Sequence, residues 1–180
     1  MRQTSYGFSL FDLLVAVAIT AVLLGIALPA WSAARARVHS VNARAAIAMS
    51  LHDSMRHATV TGSEVVLCPS SIGSSCTPGT NWSLGWIAFI DSDGNRLPGS
   101  SEPVIRVETA LQGNVELFST AGRKHLVFQP NGSNAGSNVT FTLCDGRGPR
   151  HAATLVLANG GQIRTDIPST HAAARCTRRV

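Results

Sequence analysis

The chain has 180 residues, with 15 Lys+Arg against 10 Asp+Glu for a net charge of +5, and 44% of it is apolar while 14% is charged. That length carries one domain with room for a buried core, and the low charge density excludes an intrinsically disordered chain. The positive charge sits at the two ends: residues 1–60 carry +3, residues 61–120 carry −4 and residues 121–180 carry +6. The four cysteines, Cys68, Cys76, Cys144 and Cys176, form no C-x-x-C pair, which removes the zinc-ribbon and thioredoxin readings.

The first element is apolar. From Leu13 to Ala34 no residue is charged, and about twenty such residues cross a bilayer as a helix. A secretory signal has a shorter apolar core, about 7–15 residues, followed by a small-residue cleavage site. Here the core is longer and Ala27–Pro29–Ala30 makes a poor site. On composition alone an uncleaved signal anchor fits equally well. The junction with the polar leader MRQTSYG separates the readings, because Gly7 is followed by Phe8, Ser9, Leu10, Phe11, Asp12, Leu13, Leu14 and Val15. This run resembles the prepilin motif of type IV pilins and type II secretion pseudopilins. The resemblance implies cleavage between Gly7 and Phe8 by a prepilin peptidase, N-methylation of Phe8, and retention of the apolar helix. The family usually has Glu where this chain has Asp12, one methylene shorter.

A carboxylate at the centre of a membrane segment costs about 2.5–3.5 kcal/mol, and less near an end. Asp12 therefore has two readings. It can sit at a helix start near the headgroups, favoured by the helix dipole. By the resemblance, it neutralises the α-ammonium of Phe8 on a neighbouring subunit as a filament grows. Pro29, which removes a helical hydrogen bond and favours a kink, stands where pilin helices commonly bend.

Beyond Trp31 the pattern stays helical. Trp31, Ala34, Val38, Val41, Ala45, Ala48, His52 and Met55 recur at spacings of three and four and predict one buried stripe, with His52 a packed core histidine. Arg35, Arg37, Arg44, Asp53 and Arg56 fall off it. A helix from about Phe8 to about Ala58 would run about 75 Å. After Thr61 and Gly62 short β-rich runs begin, and strands are expected at Glu64–Cys68, Trp86–Asp91, Val104–Glu108, Val115–Phe118, His125–Gln129, Val139–Cys144, Ala153–Ala158 and Gln162–Asp166. The class is α+β: a long N-terminal transmembrane helix packed on antiparallel sheets.

The blocks LCPS…C, NWSLGWIAFIDSDGN, HLVFQPNG, FTLCD and ATLVLANGGQIRT, between Leu67 and Thr165, look like the GspH/FimT branch of minor pilins and pseudopilins. The implied fold is the long helix against two small antiparallel sheets. The implied division is a leader over 1–7, a transmembrane and filament-core helix over 8–34, and an extracytoplasmic head over 35–180. A head outside the inner membrane lies in an oxidising compartment, so the cysteines are expected as disulfides. Three connectivities exist. Cys68–Cys76, closing a local loop, and Cys144–Cys176, tying the tail to a strand, are the expected pairs.

No motif for catalysis is present: the chain has no G-x-S-x-G, no Walker loop and no H-E-x-x-H. No enzyme activity, cofactor or metal is expected. Asp91-Ser92-Asp93-Gly94-Asn95 opens like a calcium loop and Glu102 stands at its twelfth position, but Arg96 replaces the glycine of the sixth, and a strand-ending turn is the expectation. The basic C-terminal third holds the candidate site. Arg147 and Arg150 flank a Gly-Pro turn, Arg164 lies on a strand, and Arg175, Arg178 and Arg179 surround Cys176. DNA-binding FimT-like pilins carry a Gly-Arg-x-Arg motif on the last strand. The matching residues here are Gly161, Gln162, Ile163 and Arg164, so only the second arginine is kept.

A basic surface also serves solubility, acidic lipid or a neighbouring subunit. Phe128 and Phe141 are the two aromatics of residues 121–180, both at strand positions expected to be buried, so DNA would be held by its phosphates, weakly and without sequence preference. The expectation is a single-pass inner-membrane subunit that enters a type IV pilus and binds DNA for uptake. The alternative is a structural pseudopilin of type II secretion.

Overall fold

The computed structural model describes residues 9–176, and the chain divides into two compact units, Met1–Arg35 and Ala36–Val180. The helix α1, Leu10–Thr61, passes through Pro29 without interruption. Its start is a reciprocal cap: the Ser9 hydroxyl accepts the Phe11 N–H at 3.3 Å, and the Asp12 carboxylate accepts the Ser9 N–H at 3.1 Å. Two of the donors that every helix N-terminus leaves unpaired are thereby satisfied. Every described residue of the first unit is exposed. An 18-residue window of α1 reaches a mean hydropathy of 2.6 with none of it buried, enough by length and composition to cross a membrane. The Thr20 hydroxyl donates back to the Ala16 carbonyl at 2.9 Å, so this polar group needs no water.

The second unit sets the rest of α1 against two four-stranded antiparallel sheets. The strands are β1 (Glu64–Pro69), β2 (Trp86–Asp91), β3 (Val104–Glu108), β4 (Glu116–Ser119), β5 (Leu126–Phe128), β6 (Val139–Cys144), β7 (Ala153–Leu157) and β8 (Ile163–Asp166). The first sheet has the order β3-β2-β1-β5 and the second β4-β6-β7-β8. All eight expected strands are present, with no end displaced by more than one residue. A short helix α2, Thr170–Ala174, was not expected; the Ser169 hydroxyl caps it by accepting the Ala172 N–H at 3.2 Å.

One core joins the inner faces of both sheets to α1. Val65, Leu67, Trp86, Leu126 and Phe128 of the first sheet and Leu117, Phe141, Leu143, Leu155 and Leu157 of the second pack with Ile47 and Leu51 of the helix. Trp82 stands between the sheets, edge-on to Phe141 at 5.2 Å and 6.4 Å from Trp86. The outer face of the first sheet is buried too, with Val66, Cys68, Ile87, Phe89 and Val127 covered by Cys76 and Ala135 from loops. Gly85 takes φ +112, where a Cβ would run into the Glu108 carbonyl, so β2 can enter the sheet beside β3 only with glycine there.

The predicted helical stripe has the wrong phase. The buried positions are Ala43, Ile47, Ser50, Leu51, Ser54 and Ala58, while Trp31, Val38, Val41 and His52 are exposed and Ala48 and Met55 are half-buried. His52 is therefore not a core histidine. The reason is size: four of the six buried residues are Ala or Ser, which let the helix axis approach the sheets. The Ser hydroxyls cost little because they are satisfied. Ser50 donates to the Ala46 carbonyl at 2.9 Å and accepts the Trp86 indole N–H at 2.9 Å, and Ser54 donates to the Ser50 carbonyl at 2.7 Å.

Candidate functional site

The alternation of the second sheet decides where its cations go. Phe141, Leu143, Leu155 and Leu157 point into the core, so the intervening residues share the outer face. Register sets Phe118 opposite Thr142, Thr142 opposite Thr154, and Thr154 opposite Asp166 in one row. A second row holds Thr140, Val156 and Arg164. The outer face is thus a threonine-rich surface with Arg164 at its β8 edge.

The C-terminal segment folds back beside this face. Cys176 is bonded to Cys144 at the end of β6, and Cys68 to Cys76 across the loop that follows β1. The first of these bonds holds α2 against β6 and against the 3-10 turn Pro149–His151. Arg175 ends α2 with its guanidinium 4.4 Å from the Phe118 ring centroid, a cation–π contact on the outer face. Between α2 and the sheet lies a cavity of about 480 Å³, lined by Thr142, Thr154, Asp166, Ser169, His171 and Arg175 among others.

The basic candidates differ in availability. Arg147 is committed: its Nε donates to Asp145 Oδ2 at 2.9 Å, its Nη2 bonds the same oxygen, and Asp145 is buried. A buried carboxylate that lost this partner would keep a desolvated charge, so the pair is a structural clamp. Arg164 lies 4.0 Å from Asp166, with side chains 70% and 54% exposed, a pair that water screens. Arg150 is exposed on the 3-10 turn. Arg164 and Arg175 share the outer face, and Arg150 is carried by the turn against which α2 packs. Arg178 and Arg179, like Gly7 and Phe8, lie outside the described residues. Phe118 as the seat for Arg175 escaped the sequence reading, since a contact across 57 positions leaves no local signal.

Asp91, Asp93 and Glu102 bring carboxylate oxygens within 4.8 Å of one another. Asp91 accepts the N–H groups of Gly94 and Arg96 at 3.0 and 3.1 Å, and Glu102 those of Ser92 and Gly99 at 2.7 and 2.9 Å. These two buried carboxylates staple the loop between β2 and β3.

A membrane-length apolar helix whose continuation packs on two small antiparallel sheets defines a pilin-like subunit. Comparison with known proteins makes this specific. Residues 45–161 match the family model described as type II transport protein GspH, and the chain belongs to that family. A fimbrial protein of Pseudomonas aeruginosa is 30% identical over 118 residues, covering 65% of this chain and 68% of that protein. Among solved structures, the type IV minor pilin FimU of P. aeruginosa superposes with a TM-score of 0.58 at 14% identity, covering 72% of this chain and 90% of FimU. The minor pseudopilin EpsH from the type 2 secretion system of Vibrio cholerae gives 0.52 at 11% identity, covering 73% of this chain and 98% of EpsH. At such identities the two structures attest the fold. The family, with the apolar helix, makes this chain a pilin- or pseudopilin-type subunit with a membrane-length N-terminal helix.

Proposed function

We propose that the chain is a minor subunit of a type IV pilus whose basic outer face binds DNA without sequence preference. The observation that carries this reading is that Arg164 and Arg175 lie over the same outer face of the second sheet, at its β8 and β4 edges, with Arg150 on the turn that packs against α2. Arg178 and Arg179 follow Cys176 by two and three positions, and the bond to Cys144 tethers that end of the chain. Phe128 and Phe141 are both fully buried, and Arg175 occupies Phe118, so bases have no free platform for stacking here. Binding would run through phosphates.

The test is a gel shift with the full oxidised chain in detergent at two salt concentrations. Four to six phosphate contacts on duplex DNA give a slope of log K against log salt of about −4 to −5. Replacing Arg164, Arg178 and Arg179 with Gln should flatten that slope and weaken binding several-fold; unchanged affinity refutes the assignment.

At the other end, the reading assigns Gly7 and Phe8 to prepilin processing and methylation in the inner membrane, and Asp12 to pairing with the Phe8 α-ammonium of an incoming subunit. The capping bond that the Ser9 N–H donates to Asp12 is compatible, because a carboxylate offers about four lone-pair sites and, among the described residues, one backbone N–H is bonded to it. A Gly7 substitution that blocks processing should abolish filament incorporation; function surviving it would point to a free-standing anchored protein.

The engagement of Arg147 by Asp145, and the nearness of Asp166 to Arg164, favour a second reading. In it the face contacts other subunits of a type II secretion pseudopilus and no nucleic acid. Absence of any shift at low salt would select it.

A further inference from the structure

Away from the C-terminal face, a cavity of about 370 Å³ opens beside the Cys68–Cys76 disulfide. One part of its wall is apolar, made by the disulfide, Pro78 and Leu97, and the other carries Arg96, Lys124 and His125. Among the described residues, the arginines paired with carboxylates are Arg56, Arg106, Arg147 and Arg164; neither Arg96 nor Lys124 has such a partner. Asp91 lies in the same loop as Arg96 and keeps its charge while accepting the N–H groups of Gly94 and Arg96, but it does not line the cavity.

Arg96 takes φ +62, a left-handed conformation uncommon outside glycine. Arg123 adds a third positive charge with no carboxylate on it: its guanidinium donates to Asn134 Oδ1 at 3.1 Å and to the Ala135 carbonyl at 3.0 Å. Burial first, then the charges of Arg96, Arg123 and Lys124, hold the His125 imidazole below its ordinary pKa. With no carboxylate in the wall itself, cations gathered around a partly apolar hollow are an arrangement that gains when an anion enters.

We propose that this cavity docks an acidic, apolar segment of a partner protein, with a carboxylate held by Arg96 and Lys124 and an apolar side chain against Leu97 and Pro78. The size falls in the range of ligand sites, about 300–1,000 Å³, whose walls are mostly apolar with a few placed polar groups. The apolar wall gives a peptide side chain something that free phosphate lacks. A nucleic acid fits poorly, since its phosphates line a convex ridge and no Trp, Tyr or Phe is present in the wall for stacking. The site is independent of the C-terminal face.

The test uses the full chain in detergent micelles and follows the His125 ring proton by NMR. The probes are acetyl-Asp-Leu-Glu-Leu-amide, its uncharged analogue acetyl-Asn-Leu-Gln-Leu-amide, sodium phosphate and a short DNA duplex. The acidic peptide should move the His125 signal and raise its pKa, with binding tightening as pH falls below about 6.5. Arg96→Gln and Lys124→Gln should each weaken it about tenfold, the value of one charge-assisted hydrogen bond, while Lys124→Arg should retain it and Arg164→Gln should leave it unchanged. Both side chains are exposed, and an unaltered amide spectrum confirms that a variant is folded. The proposal is overturned if neither peptide binds, if the two bind equally, if phosphate matches the acidic peptide, or if DNA moves His125 more than the peptide does.

Discussion

Ser50 shows how much one small side chain can decide in this protein. Its hydroxyl is the acceptor for the fully buried Trp86 indole and is itself tied to α1 by the Ala46 carbonyl. Replacing it with Ala leaves a buried N–H without a partner, which costs about 1–3 kcal/mol. Denaturant unfolding followed by tryptophan fluorescence should therefore show a lower midpoint with an unchanged slope. Leu at the same site should cost more, since the helix would be pushed off the sheet. A histidine gives the second expectation at this scale. Folding lowers the His125 pKa, by burial first and then by Arg96, Arg123 and Lys124. Above the unfolded value of about 6.5 both states are neutral and the residue is silent. As pH falls below that value the unfolded chain takes up a proton that the folded chain resists, so stability is lost toward acid. His125→Gln should remove that part of the acid destabilisation, read as a smaller drop in midpoint between neutral and mildly acidic buffer.

At the scale of elements, the strands were legible and the helix face was not. Each strand is a run of β-branched or aromatic residues ended by Gly, Pro, Asn or Ser, and such boundaries are local. The helix offers two apolar stripes, and the bulkier one was read as buried. Val38 and Val41 of the expected stripe point outward, 57% and 46% exposed, and the helix turns Ala43, Ile47, Ser50, Leu51, Ser54 and Ala58 to the sheets. Only the close approach demanded by two facing sheets reveals that choice. Helix α2 was missed because five residues carry no period, although Ser169 before an Ala-rich run is a capping signal.

The disulfides belong to this scale. Cys144–Cys176 closes a separation of 32 residues and Cys68–Cys76 one of 8. Chain entropy then assigns them about 4 and about 2.5 kcal/mol. Under non-reducing conditions the intact mass should be four protons below that of the reduced chain. Cys176→Ser should lower the unfolding midpoint more than Cys76→Ser and release α2 from β6, seen as faster hydrogen exchange at Ala172 and Ala173.

At the scale of the whole chain, charge is organised by folding and not by sequence blocks. Residues 61–120 carry a net −4, yet Arg96 from that block joins Lys124 and His125 in one cationic hollow. The apparent acidity of the block is spent locally: Asp91 and Glu102 cap backbone N–H groups, and Glu108 pairs with Arg106 at 3.3 Å. Within the block of +6, Arg147 is held by buried Asp145 and Arg175 is laid on Phe118, so fewer cations are free to meet a ligand than the block contains. Two separate basic surfaces follow, a concave one beside the first disulfide and an open one on the second sheet. They should respond differently to salt. An open face binding phosphates loses affinity steeply as counterions compete, whereas a partly enclosed carboxylate pair is screened less. Raising salt from low to physiological ionic strength should abolish most of any DNA shift while changing the affinity for the acidic peptide by only a few-fold. Equal sensitivity of the two would mean that both ligands sample one diffuse positive field, and the two sites would have to be treated as one.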